Sequence, residues 1–270
     1  MAEVIPADNS DFNTRGKKFN NAIVRLPCPE MKQGLSSFDL GKPDYLKAIN
    51  QHSEYIEALK NSGLSVKILE ADNRFPDSTF IEDVALCTPK CAIITNPGAL
   101  TRKGEISGIR QILHEYYTNI EEIISPGTLE AGDVMMVASH FFIGVSERTN
   151  NEGADQLTDI LQGYGFTCSK VPLKMMLHLK SGVSYLENNN MLMSGEIIDR
   201  NEFVRFNRII VDKEENYAAN SLWINGKVLV PYGFQKTRKK IEKAGYDTLI
   251  LDVSEFRKLD GGLSCLSLRF

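Results

Sequence analysis

Residues 134–145 read VMMVASHFFIGV, and the segments after them show how they are used. Two apolar runs, 134–137 and 141–145, flank a short Ala-Ser-His break, which is the pattern of a buried β-hairpin. Asn150 then stands where a side chain can cap a helix, and Leu157, Ile160 and Leu161 line one helical face. Gly163 and Gly165 break that helix, and residues 166–171 return as a strand. The unit is hairpin, helix, strand.

The same order recurs along the chain. Residues 80–86 with 91–95 predict a hairpin, followed by a helix over 103–117 and a strand over 120–124. Residues 183–186 with 191–194 precede a short helix over 200–206 and a strand at 208–211. Residues 222–224 with 228–231 precede a helix over 235–244, stopped by Gly245, and a strand at 247–251. One copy is split between the chain ends. Residues 22–26 stand alone before the helix opened by Pro43-Asp44 and the strand at 64–69, while residues 265–268 can supply the missing partner. Five such modules with paired termini form a closed, five-fold pseudosymmetric α/β propeller. The modules share a pattern rather than residue identity, and the competing arrangement is a two-layer α+β sandwich. The expected organisation is a loose leader at 1–20 and one domain over 21–270.

Composition narrows the function. A chain of 270 residues with 42% hydrophobic residues can bury a sizeable core. Its net charge is −4 and no basic block is present, which argues against a nucleic-acid partner. No apolar run approaches the roughly 18 residues of a membrane span, and no basic-then-apolar start marks a signal peptide. Five scattered cysteines, an odd number, make no disulfide framework, so the expected compartment is cytoplasmic. Cys87-Thr-Pro-Lys-Cys91 lacks the second Cys/His pair that structural zinc needs, and reads instead as a hairpin turn flanked by buried cysteines.

The polar residues fall at matching stations. Glu130 lies just before one hairpin, His178 just before the next, and Ser264-Cys265 at the start of the closing strand. In a closed ring these stations converge at one end of the axis. Singly each has a plain reading: a C-terminal cysteine is usually a small buried hydrophobe, and a histidine between leucines is usually a core residue. Together, a thiol, an imidazole and several carboxylates suit nucleophilic attack on a cationic, guanidinium-like group that carboxylates hold in a fork.

The strings FPDSTFIED (75–83), ITNPG (94–98), EAGD (130–133), RTN (148–150), LHLKSG (177–182) and DGGLSC (260–265) carry a resemblance. In this order they resemble the dimethylarginine dimethylaminohydrolases of the guanidino-group-modifying, or pentein, superfamily, most of all the bacterial members. The resemblance covers nearly the whole chain after about residue 20. It implies the five-module propeller and hydrolysis of Nω-methylated arginine to citrulline and a methylamine, through a covalent thiouronium on cysteine. Position by position it implies Cys265 as nucleophile, His178 as proton carrier, and Glu130 and Asp83 on the guanidinium nitrogens. Arg102 and Arg148 would receive the substrate carboxylate. Asp77 and the backbone near Leu35 and Leu259 would take its amino-acid end, with Glu82 adjoining this set. The expected partner is a small molecule, methylated arginine, with no metal or organic cofactor. Nothing in the sequence fixes the oligomeric state, and a homodimer stays open. Arginine deiminase or amidinotransferase chemistry on the same scaffold is the nearest alternative. A non-catalytic guanidino-amino-acid binding protein is the second.

Overall fold

In the computed structural model, which describes residues 19–270, five three-stranded sheets surround one axis. Each is an antiparallel pair to which a third strand is added in parallel. The first module holds β1 (Asn21–Arg25), α1 (Tyr45–Asn61) and β2 (Ser65–Leu69). The second holds β3 (Ala85–Cys87), β4 (Ala92–Ile94), α2 (Ile109–Leu113) and β5 (Ile120–Glu122). The third holds β6 (Val134–Val137), β7 (His140–Val145), α3 (Asn151–Gly163) and β8 (Thr167–Pro172). The fourth has β9 (Val183–Tyr185), β10 (Asn190–Met193) and β11 (Asn207–Ile210). The fifth has β12 (Leu222–Ile224), β13 (Lys227–Pro231), α4 (Gln235–Lys243) and β14 (Asp247–Leu251). A one-turn helix α5 (Ser254–Arg257) leads to the last strand, β15 (Leu268–Arg269), which pairs antiparallel with β1.

The third module shows why each unit folds. β7 is the middle strand, antiparallel to β6 and parallel to β8, so both of its edges are paired; Phe141 and Ile143 pack in one apolar cluster and Phe142 in another, and its first five residues are buried. Asn150 accepts a hydrogen bond from Gly153 N and caps α3. Leu157 and Leu161 of α3 then pack on Phe141, Ile143 and Phe166 of the sheet. The expected leader lies outside the described residues except for Phe19 and Asn20, which are held: Phe19 N donates to Asn225 Oδ1, and Asn20 N to Phe270 O. None of the helices among the described residues is long and apolar enough to cross a membrane.

The propeller is the arrangement expected from the repeat, but four local expectations change. Residues 103–117 do not make one helix. A 3-10 segment, Leu100–Ile106, precedes the short α2, because Gly108 takes φ +80° and breaks the path between them. Residues 200–206 form no α-helix. The span between β10 and β11 holds two 3-10 turns instead, Gly195–Ile197 and Asn201–Phe203. The strand expected from residue 80 begins only at Ala85, after a 3-10 turn over Ile81–Val84. Cys265 likewise lies in a 3-10 turn, Ser264–Leu266, rather than on the closing strand. The 87–91 segment is the expected hairpin connection, with Cys91 buried and Cys87 half-buried.

Candidate active site

Those 3-10 turns have a common address. One precedes the inner strand of every module: Ile81–Val84 before β3, Ala131–Asp133 before β6, Leu179–Ser181 before β9, Lys213–Ala219 before β12 and Ser264–Leu266 before β15. Successive turns touch around the axis. Residues in or beside them therefore meet although they are far apart in the chain. Asp83, Glu130, His178 and Cys265 all line one cavity of about 130 Å³, together with Asp77 and Arg148.

The imidazole of His178 is held first. Its Nε2 is 2.8 Å from Glu130 Oε2, and both residues are buried. Gly132 allows this packing: a Cβ there would stand 2.7 Å from both His178 Nδ1 and Asp83 Oδ1. The Gly132 N–H instead donates to Asp83 Oδ1 at 2.9 Å. Beneath, Asp133 accepts from Leu179 N at 2.9 Å and Ser146 Oγ at 2.7 Å, fixing the turn that follows His178. Burial by itself would lower the His178 pKa, but Asp83, the Glu130 hydrogen bond and Asp133 outweigh it and raise it to about 9. At neutral pH this histidine is an imidazolium.

The thiol is in the opposite condition. Cys265 is half-buried, and its Sγ accepts from Gly262 N at 3.3 Å. Burial and the charges of Glu82 and Asp83 push its pKa up to about 12, against the pull of the Gly262 N–H and Lys180. The resting pair is therefore a neutral thiol beside a cationic imidazole, not an ion pair. Asp83 is held down to about 2: burial opposes ionisation, but His178, Arg102 and the Gly132 N–H prevail.

The two arginines differ. Arg102 is buried, with Nε and NH2 forked on Glu105, NH2 also on Phe80 O at 3.0 Å, and NH1 on Asp83 Oδ2 at 2.6 Å. Arg148 keeps 19% of its side chain exposed and has one long contact, 3.5 Å to Glu130 Oε1. Asp77 accepts from Leu35 N at 3.0 Å, and Leu35 and Leu259 line the same cavity. Glu82 alone among the expected site residues faces elsewhere. Its carboxylate takes Ser264 Oγ at 2.8 Å, Lys180 Nζ at 2.6 Å and an Arg269 N–H at 2.6 Å, and it lines a separate cavity of about 200 Å³ behind the site.

Asp83, Glu130 and His178 bring three potential metal-ligand atoms within 4.8 Å of one another. A divalent cation there would have to displace the proton of His178 and tolerate the Arg102 guanidinium at Asp83. A delocalised organic cation that donates several charged hydrogen bonds suits this group better. The sequence alone gives no role to Asp133 of the EAGD string and does not point to Glu105 or Asn220. The station of Asn220, just ahead of the 222–224 hairpin, was the available signal.

The sequence profile of the family described as "N,N dimethylarginine dimethylhydrolase, eukaryotic" matches residues 43–240. An N(G),N(G)-dimethylarginine dimethylaminohydrolase of Pseudomonas aeruginosa is 50% identical over 253 residues, covering 93% of this chain and 100% of the relative. The chain belongs to the dimethylarginine dimethylaminohydrolase family. The dimethylarginine dimethylaminohydrolase structure from P. aeruginosa, a Cys-to-Ser variant complexed with citrulline, superposes with a TM-score of 0.93 at 49% identity, over 94% of this chain and 100% of that one. The N-terminal domain of a cyanobacterial arginine dihydrolase shares the fold alone, with a TM-score of 0.83 at 18% identity over 94% of this chain and 97% of that domain.

Proposed function

We propose that this protein hydrolyses Nω-methylated arginine to citrulline and a methylamine, with Cys265 as the nucleophile. The observation that carries this reading is a thiol, a Glu130-bound imidazolium and the Asp83 carboxylate lining one small cavity with Arg148 at its side. The family and the citrulline held by the P. aeruginosa relative support it.

The chemistry follows from the charge states. A guanidinium is a poor electrophile because its charge is delocalised. Asp83 and Glu130, each with lone pairs to spare, hold its nitrogens, localise the charge and place the carbon over sulfur. The bound cation also opposes the acidic charges that keep Cys265 protonated, so the thiol releases its proton to solvent when substrate binds. Sulfur attacks the guanidinium carbon to give a tetrahedral adduct. His178, protonated at rest, gives its proton to the departing alkylamine, leaving an S-alkylthiouronium on Cys265. Neutral His178 then takes a proton from water, which adds to the same carbon and expels the thiolate and citrulline. Arg148 is the freer guanidinium and anchors the substrate carboxylate. Arg102 contributes from below, where Asp83 and Glu105 already occupy most of it. Asp77 with the backbone at Leu35 and Leu259 takes the α-ammonium end. The role of Glu82 is to brace Ser264 from behind.

Asymmetric dimethylarginine, monomethylarginine and arginine, supplied separately at equal low concentration, test this through citrulline and amine release. The expected result is a kcat/KM at least about tenfold higher for the methylated substrates, equivalent to ~1.4 kcal/mol. Fast hydrolysis of arginine would make the protein a deiminase, and no citrulline from any of the three would make it a binding protein.

A further inference from the structure

We infer that Asn220 is a positioning residue that sets Cys265 against His178. The inference rests on the proposed catalytic roles of those two residues. Asn220 ends the 3-10 segment Lys213–Ala219, so it is the fifth module's side chain at the station where the other modules present Asp83, Glu130, His178 and Cys265. It is buried, and its carboxamide is bonded at both ends. Nδ2 donates to Lys180 O at 2.9 Å, two residues beyond His178, and to Ser264 Oγ at 3.0 Å. Oδ1 accepts from Ser264 N at 2.9 Å, next to Cys265. One planar amide therefore ties the segment carrying the acid to the segment carrying the nucleophile.

The same amide lies against Gly262. A Cβ on Gly262 would fall 2.4 Å from Asn220 Cγ and 2.5 Å from Oδ1. Gly262 supplies the N–H that donates to Cys265 Sγ. Asn220 thus controls three things: the height of Ser264, the distance from the His178 turn, and the seat of the residue whose N–H stabilises the thiolate. None of these contacts reaches the cavity where substrate binds, because Asn220 does not line it. Its loss should therefore appear in the chemical step and not in substrate affinity. A displacement of reacting groups by about 1 Å is enough to cost around a hundredfold in rate.

The test compares Asn220→Ala and the isosteric Asn220→Asp with Ser221→Ala, whose hydroxyl bonds only Ala218 O within the same turn. Both Asn220 variants should lose at least tenfold in kcat with KM within threefold of wild type, while Ser221→Ala stays within threefold in both. Alkylation of Cys265 by iodoacetamide, located by mass spectrometry, should be at least threefold slower at pH 8 in both Asn220 variants, with its pH midpoint moved upward. Folded variants with wild-type kcat and alkylation overturn the inference, as does failure of both Asn220 variants to fold, which would make Asn220 a folding residue only. If wild type releases no citrulline, the functional reading fails separately, and the alkylation rates still report whether Asn220 places the thiol.

Discussion

Arg148 and Arg102 show how two residues of one type, near one cavity, come to do different work. Arg102 sits in a buried fork with Glu105 and presents its remaining charge to Asp83, whereas Arg148 has a loose contact and a partly open side chain. A carboxylate arriving from solvent finds the second one available. Arg148→Ala should raise KM more than it lowers kcat, since the anchor is remote from the reacting carbon. Loss of one charged contact is worth roughly 1.5–3 kcal/mol, or about tenfold to a hundredfold in kcat/KM. Steady-state kinetics on dimethylarginine with a parallel melting curve decide this. A lower Tm with unchanged KM would make Arg148 a structural ion pair instead.

Helix α1 carries a cost that its periodicity conceals. Its buried face includes Ala48, Gln51, His52, Tyr55, Ile56 and Leu59, and Asp44 caps it by accepting from Lys47 N. His52 is fully buried between Tyr55 and Phe256, and neither ring nitrogen has a hydrogen-bond partner. Burial lowers its pKa from 6.5 to about 4. Above pH 6.5 the ring is neutral in both folded and unfolded chains and has no effect on stability through titration. As pH falls from 6.5 to about 4 only the unfolded chain takes up the proton, so stability is lost across that window, on the order of 3 kcal/mol in all. His52→Leu removes both the titration and the unpaired polar atoms. It should raise Tm at pH 5 by several degrees more than at pH 8, and an equal shift at both pH values would refute the account.

The whole molecule is closed by its two ends. β15 pairs with β1 at Ile23↔Leu268 and Ala22↔Arg269, and the Phe270 ring packs against Tyr116 and Tyr117 of the neighbouring module. Leu268 is 3% exposed and packs in one cluster with Ile23 and Ile81. Truncating such a leucine to alanine costs about 2–5 kcal/mol, and each kcal/mol lowers Tm by roughly 2–4 °C in a domain of this size. Leu268→Ala should therefore melt about 4–20 °C lower. We propose that residues 21–270 form one domain, so calorimetry should show a single transition in both proteins. Two separated transitions would mean that the ring does not fold as a unit.

Much of this plan was legible from near-neighbour chemistry. Alternating or continuous apolar runs marked the hairpins, Gly163, Gly165 and Gly245 marked helix ends, and the unpaired strands at the two termini implied closure. The recurring station of Glu130, His178 and Cys265 followed from the same repeat. The 3-10 turns that carry the site were not legible, because turns of three or four residues have no period to detect and persist only through packing against the next module. For the same reason Glu82 and Asp83, adjacent in the chain, are both expected beside the substrate, yet the turn sends one carboxylate to the cavity and the other behind it. Nor could residue order announce the Asn220 bonds to Lys180 and Ser264, which span 40 and 44 positions, or the Glu82 bond to Ser264, which spans 182. Local sequence determines which segments can become strands and where they stop. Which side chains meet at the axis is decided only when the ring closes, since burial and charge pairing between modules depend on all five being in place.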